Sequence, residues 1–316
     1  MQNKFFVGVD TSNYTTSVAV LDEDGNILYN FKQLLSVKDN ECGLRQSDAL
    51  FAHIKNLPHA LRALKSFAER GSIAAVGVST RPRNIEGSYM PCFLAGVNAA
   101  EAIASATGVP LYEFSHQCGH IMAAIKSSER YDLLEKDFLA FHISGGTTEM
   151  LRVKFVEDAF VCDIVGGTLD LSAGQAVDRI GVDMGLPFPA GAYMEQLALS
   201  FEGKIPNRKP TMNGTYVNLS GLENIAKKMY RDTQSRELVC AFVFKYISRM
   251  LREMTQSYYA QHGELPVIFA GGVMSCSLIK NELKAQFDCG FAEPKLSSDN
   301  AVGIAELARR KYISGR

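Results

Sequence analysis

The sequence predicts an α/β protein of two related lobes, and three observations carry that expectation. The segment "KFFVGVDTSNYTTSVAVLDEDGNIL" reads as an apolar strand, a polar Ser/Thr turn, a second strand, and an Asp-Gly turn into a third. Over a hundred residues later, "DFLAFHISGGTTEMLRVKFVEDAFVCDIV" repeats that grammar with "SGGTT" as its first turn, which points to a duplicated architecture. Near the C-terminal end, "PVIFAGGVMSCSLIKNELKAQF" reads as a buried strand, a double-glycine turn and a helix.

Between these landmarks the elements follow in order. "IAAVGVSTRPRN" is a β-branched strand ending in a loop, and the helical stretch "SYMPCFLAGVNAAEAIASATG" is closed by Gly108. "VPLYEF" then leads into a helix that carries "SHQCGH". After the second hairpin come the helix "LSAGQAVDRIGVDMG" with a glycine stop, the loop "LPFPAG", the polar loop "EGKIPNRKPTMNGTY", and a long helical region from about 237 to 261. No low-complexity linker divides the halves. The expected division is a first lobe over 1–125, with a helix of about 300–316 packing back on it, and a second lobe over 126–299, with a cleft between them. A chain of 316 residues has room for two domains at a prior of about 150 residues each.

Composition bounds the function classes. Hydrophobic residues make up 47% and charged residues 21%, the balance of a globular chain with a sizeable core. The formal net charge of −1 supplies no global basic field, so any RNA contact must use a local patch or a partner. Seven cysteines without CxxC spacing argue against a disulfide framework and for a reducing compartment. The opening "MQNKFFVGVDTS" lacks the long apolar core of a signal peptide, and no uncharged apolar run reaches 18 residues. A cytoplasmic protein with no membrane contact is expected.

Several residue patterns bear on chemistry. His116 and His120 stand four apart on one helix face, where one cation could take a nitrogen from each. Two solvent-facing imidazoles are the plainer alternative. Cys118, two residues after His116, points off that face. In "HISGGTT", Ser144 with Gly145 and Gly146 permits close backbone approach to a phosphate or acyl group, against the alternative of a plain β-turn. Thr11, Ser12, Thr15 and Thr16 form the corresponding turn of the first half, as a phosphate loop or as a hydrogen-bonded Ser/Thr turn. Gly271 and Gly272 would let a helix starting near Ser275 aim its positive end at an anion.

Taken together, two strand–turn–strand phosphate loops and a strand-GG-helix resemble the actin-like ATPase and sugar-kinase superfamily, whose nucleotide lies between duplicated ribonuclease-H-like lobes. More closely, the chain resembles the TsaD (Gcp) family along nearly its whole length. "GVDTS" is similar to that family's opening strand and turn, "SHQCGH" to its HxxxGH metal motif, and "HISGGTTEM" to its VSGGHTQL loop. "LSAGQAVDRIGVDMGLPFPAG" resembles DDAAGEAFDKxAxxLGLxYPGG, and "NLSGLENIAKKM" the SFSGLKT segment. "FAGGVMSCSLIKNEL" looks like AGGVxANxxLR, and "SSDNAVGIAELARR" like the TDNxAMIAxxG ending.

The resemblance implies transfer of a threonylcarbamoyl group from threonylcarbamoyl-adenylate to the adenosine next to the tRNA anticodon, with loss of AMP. It implies one iron or zinc ion held by His116, His120 and Asp299. It also implies an adenine nucleotide or adenylate held by the stretch from His142 and Ile143 through Ser144, Gly145 and Gly146, with Asp178, Gly191, Gly271, Gly272 and Cys276. Asp178 would meet a ribose hydroxyl, with a salt bridge as the alternative, and Gly191 would bring backbone near the sugar. The implied partners are tRNA, TsaB-like and TsaE-like proteins, and a second copy of the chain.

Departures from the family pattern cluster at the same places. Tyr14 and Thr15 stand where the family's first loop has an Asp-Glu pair, and Arg81 and Arg83 where its TxGPGL loop has glycines. Thr147 replaces the histidine after SGG, Gln175 a glutamate, and Cys276 an asparagine that contacts nucleotide. The metal ligands and half of the nucleotide cradle are kept while acid/base groups change. A non-catalytic partner of a true family member, and an ATPase or kinase of the superfamily, are therefore rival readings. The old metallopeptidase reading fails because Gln117 stands where a zinc protease needs a basic glutamate.

Overall fold

The computed structural model describes residues 3–12, 14–36, 44–297 and 301–315. In chain order these form β1 (Asn3–Thr11), β2 (Thr15–Leu21), β3 (Ile27–Leu34), α1 (Gln46–Leu61), α2 (Leu64–Arg70), β4 (Gly71–Arg81), α3 (Phe93–Thr107), β5 (Leu111–Ser115) and α4 (His116–Ser127). Then come β6 (Phe138–Ile143), β7 (Thr148–Val156), β8 (Ala159–Thr168), α5 (Ala173–Asp183), α6 (Gly191–Leu199), β9 (Thr211–Asn213), β10 (Tyr216–Asn218), α7 (Ser220–Thr233) and α8 (Arg236–His262). The chain ends with β11 (Val267–Ala270), α9 (Ser277–Lys284), β12 (Cys289–Phe291), α10 (Pro294–Ser297) and α11 (Val302–Ser314).

The chain divides into two compact units. One holds the residues up to Glu129, the hairpin tip Phe155–Val161, and everything from Lys295 onward; the other holds Arg130–Lys154 and Cys162–Pro294. The first unit has a five-stranded sheet in the order β3-β2-β1-β4-β5. β1 runs antiparallel to β2 and parallel to β4, and β4 runs parallel to β5. The second sheet has the order β12-β11-β6-β7-β8-β10-β9. Its strands β8-β7-β6-β11-β12 repeat the first order, and β6 is antiparallel to β7 and parallel to β11. The repeated hairpin grammar therefore corresponds to a repeated sheet.

Each unit buries its own core. Val7, Val9, Val18, Val20, Val76 and Val78 alternate into an apolar layer of the first sheet with Leu57, Phe67 and Ala100 from its helices. In the second unit Leu139, Phe141 and Phe269 pack with one side of α8, including Phe242, Ile247 and Met250. Apolar residues recur along α8 at helical spacing, which is why its 27 residues hold as one helix through the core.

Two departures from the sequence expectation are local. The polar loop "EGKIPNRKPTMNGTY" contains the short antiparallel pair β9 and β10, with Gly214 at φ +62° forming the turn. The helix expected from Ser275 begins at Ser277, because residues 272–275 first make a 3₁₀ turn. Among the described residues no helix is long and apolar enough to cross a membrane.

Candidate functional site

In the first unit, β5 ends at Ser115 and the chain turns directly into α4, so His116 and His120 occupy its first two turns. Ser115 caps the helix through a bond from the Cys118 amide. Packing then fixes where the helix lies. A Cβ on Gly303, in the first turn of α11, would come 1.9 Å from the Gly119 carbonyl oxygen, so the two helices touch backbone to backbone. Gly119 sits immediately before His120, and its small size brings the histidine-bearing turn against the start of α11. Cys118 is turned inward and bonds with Ser115 and Asn84 rather than joining the histidine face.

The two imidazoles converge. His116 Nε2 and His120 Nε2 are 2.9 Å apart, with the rings edge to face at 4.3 Å between centroids. Behind His116 stands Asp10, at the end of β1. Its carboxylate oxygens are 3.0 and 3.1 Å from His116 Nδ1, and the side chain has no solvent exposure. Ser79 Oγ, at the end of β4, donates to the same carboxylate. With the proton on Nδ1, donated to Asp10, the lone pair of His116 lies on Nε2, the atom that faces His120.

That arrangement fits a metal. Two nitrogens ligating one ion at about 2.0–2.1 Å are held roughly 3 Å apart, close to the spacing here. A carboxylate behind one of them is the usual outer partner of a ligating histidine. Asp299, the expected third ligand, lies outside the described residues. Among the described residues no third His, Cys, Asp or Glu joins the pair as a ligand.

The first-half turn uses its hydroxyls internally. Thr11 Oγ1 donates to the Cys92 carbonyl at 3.1 Å and accepts from the Gly96 amide, which ties β1 to α3. Thr16 Oγ1 is 2.8 Å from Nδ1 of the buried His53, and Ser12 and Thr15 are buried too. Burial holds the His53 pKa below the ordinary imidazole value, against raising contributions from the Ser12 backbone and the Asp10 charge. The Thr11 hydroxyl expected in a phosphate loop is thus committed to the fold. Tyr14 stands 42% exposed at the place of the family's acidic pair.

In the second unit three pieces meet. The β6–β7 turn is closed by Ser144 N–H donating to the Thr147 carbonyl at 2.8 Å, and by the Thr147 amide donating to Ser144 Oγ at 3.2 Å. The N-terminus of α5 lies against this turn. Gly174 N–H donates to the Ser144 carbonyl, and a Cβ there would come 2.5 Å from that oxygen. Ser172 Oγ, the α5 cap, donates to the Gly145 carbonyl at 2.7 Å. The double-glycine turn completes the group. Gly271 has φ +102°, and its Cβ would come 2.2 Å from the Ile143 carbonyl. Side chains at Gly145, Gly146 and Gly272 would meet nothing within 4 Å. The packed glycines hold the pieces together, and the other three leave backbone open to a ligand.

The remaining residues expected at a nucleotide are mostly supports. Asp178 Oδ1 accepts from the Ala190 amide at 2.8 Å, so it braces the "PFPAG" segment and forms no ion pair among the described residues. Gly191 begins α6 instead of lying in a loop, and a Cβ there would meet only Val177 at 3.9 Å. Glu195, which sequence reasoning missed, accepts from Ser277 N–H at 2.7 Å and Ser277 Oγ at 2.6 Å. The start of α9 is therefore already capped by a carboxylate. Burial pushes the Cys276 thiol up to about 11, so it is a neutral packing group. His142 is half-buried at the end of β6. The acid in the middle of "GVDTS" was the one signal that could have singled out Asp10 beforehand.

Comparisons with known proteins bear on the family and the fold. The family model for TsaD, tRNA N6-adenosine threonylcarbamoyltransferase, matches residues 36–306. A protein of that description from Methanopyrus kandleri is 31% identical over 95% of this chain and 85% of its own. One from Streptococcus suis is 29% identical over 99% of this chain and 94% of its own. Among solved structures, a ROK family glucokinase from Streptomyces griseus, in complex with glucose and AMPPNP, superposes with a TM-score of 0.54 at 14% identity, covering 97% of this chain and 99% of that one. HypF from T. kodakarensis gives 0.62 at 11% identity over 99% of this chain and 48% of its own. These likenesses place the fold among the actin-like ATPases and sugar kinases. The chain belongs to the TsaD family of tRNA N6-adenosine threonylcarbamoyltransferases.

Proposed function

We propose that the chain transfers a threonylcarbamoyl group from threonylcarbamoyl-adenylate to the exocyclic amine of the adenosine next to a tRNA anticodon, releasing AMP, with one divalent iron or zinc ion bound. The observation that carries this reading is the pair of imidazole Nε2 atoms 2.9 Å apart with Asp10 behind His116.

His116, His120 and Asp299 would hold the ion, which would supply a Lewis acid for the carbamoyl carbonyl. Asp10 keeps His116 in the tautomer that presents Nε2 as a donor of electrons. The backbone of Gly145, Gly146 and Gly272 would offer N–H groups to the phosphate of the adenylate, and the α5 N-terminus, its own amides already bonded, would add its helix dipole. The amine nitrogen attacks the carbamoyl carbon, the bond from that carbon to the phosphate oxygen breaks, and the amine proton is lost to solvent. Phosphate is a good leaving group and needs no strong general acid, so the residues act by positioning and by charge. TsaB-like and TsaE-like proteins, and a second copy of the chain, are the partners this reading includes.

Tyr14 and Thr15 in place of an acidic pair favour one rival, a nucleotide- and metal-binding paralogue that supports a true enzyme. Complementation decides between them. Cells depleted of their own transferase and given this chain with its partner proteins should regain threonylcarbamoyladenosine in their tRNA, read by mass spectrometry of nucleosides. No modified nucleoside, with the protein folded and metal-loaded, would leave the supporting role.

A further inference from the structure

We propose that a cationic cavity in the second unit, lined by none of the candidate-site residues described above, docks backbone phosphates of the RNA substrate. The cavity, about 560 Å³ in volume, lies between the segment 203–208 and one side of α8. Lys204, Arg208, Lys245, Arg249 and Arg252 line it, with Glu282 as the one carboxylate in its wall. In a chain with 33 basic and 34 acidic residues, that is a local concentration of one sign.

Two of the five cations are anchored. Arg249 Nε donates to Glu253 at 2.6 Å and its Nη1 to the Asn207 side chain, which clamps the 203–208 segment onto the helix and fixes the guanidinium plane. Arg252 lies 3.7 Å from Glu282. Lys204, Arg208 and Lys245 are exposed and pair with no carboxylate among the described residues. Unpaired cations crowded around one concavity repel each other, and an anion relieves that cost.

Spacing favours a chain of phosphates over one free anion. Residues 245, 249 and 252 share a face of α8 and span roughly 10 Å along its axis. Arg208 and Lys204 extend the row onto the loop. A lone phosphate could engage only part of it, whereas a nucleic-acid strand passes several charges along such a row, with arginine able to grip them in a bidentate manner. The inference rests on tRNA being the substrate.

The test uses the full chain and an unmodified tRNA with adenosine following the anticodon, with K204Q/R208Q/K245Q as the variant. All three side chains are exposed, so melting temperature and metal content should stay at wild-type values. We expect tRNA binding at low salt to weaken about tenfold or more, and the slope of log affinity against log salt to flatten by about 3, one step for each lost phosphate contact. Unchanged affinity and slope in the variant, with wild type binding tRNA well, would overturn the docking site and leave the proposed reaction standing. Loss of inorganic phosphate binding with unchanged tRNA affinity would also overturn it, by assigning the cavity to a free anion. Wild type that neither binds nor modifies tRNA would instead remove the proposed reaction, and this inference with it.

Discussion

Asp10 and His116, 106 residues apart in the chain, meet through a carboxylate oxygen 3.0 Å from Nδ1. This contact joins the end of β1 to the first turn of α4 and occupies Nδ1, so Nε2 is the ring nitrogen turned to His120. In D10N the amide could donate to Nδ1, the ring proton would move to Nε2, and the lone pair facing His120 would vanish. Metal affinity, measured by competition with a chromophoric chelator, should fall by roughly 10- to 100-fold with the fold intact. Wild-type affinity in D10N would remove Asp10 from the metal's support.

Removing either imidazole is the direct counterpart. H116A and H120A, purified without chelator, should each carry little of the roughly one iron or zinc per chain expected in wild type, by elemental analysis. Equal metal in all three proteins would show that the ion, if bound, sits elsewhere.

Close contact between α4 and α11 gives a packing prediction. Gly303→Ala drives a methyl into the Gly119 carbonyl, and overpacking of this kind costs about 1–3 kcal/mol or more. A lower melting temperature should come with weakened metal binding, because the displaced helix carries both histidines. Gly221→Ala on α7, where the added methyl meets nothing within 4 Å, should be neutral or stabilising by up to about 1 kcal/mol.

Glu306 on α11 is fully buried and serves three cations, with Arg309 and Arg310 at 2.8 Å and Lys126 at 3.5 Å. Burial alone would raise its pKa; the Arg309 hydrogen bond and the charges of Lys126, Arg309 and Arg310 outweigh burial and hold it below the ordinary value of 4.5. A depressed carboxylate contributes its stability above that ordinary value and loses it as pH falls through the folded pKa. Wild type should therefore lose stability in acid below about pH 4.5. E306A, which strands three cations near the core, should be destabilised by about 3–5 kcal/mol at neutral pH and show a flatter acid limb in denaturant titrations.

The Cys276 thiol, raised to about 11 by burial, should resist iodoacetamide in the native protein at pH 7–8 and react only on unfolding. Rapid native alkylation at that residue would mean the double-glycine turn is open to reagent.

How much of this was readable beforehand follows from which interactions are local. The doubled hairpin, the capped end of α3 at Gly108 and the α4 histidine spacing depend on neighbours within a few residues, and they are legible as patterns. The 3₁₀ turn at 272–275 was not, because Gly271 takes its conformation to clear the Ile143 carbonyl, a contact across the sheet. The use Thr11 makes of its hydroxyl was hidden for the same reason: its partner is the Cys92 carbonyl, 81 residues on. Asp178 and Glu195 carry charges whose use is set by backbone amides brought in from other elements.

The sequence alone determined the α/β class, the duplication, the paired imidazoles and the glycine-rich turns, since each is a periodicity or a short-range conformational preference. Only the tertiary structure decided that Asp10 orients His116, that Gly119 and Gly303 seat the histidine helix, and that five cations line one cavity between the 203–208 segment and α8. Hydrogen bonds and charge act over a few ångströms, and folding alone brings residues a hundred positions apart within that distance.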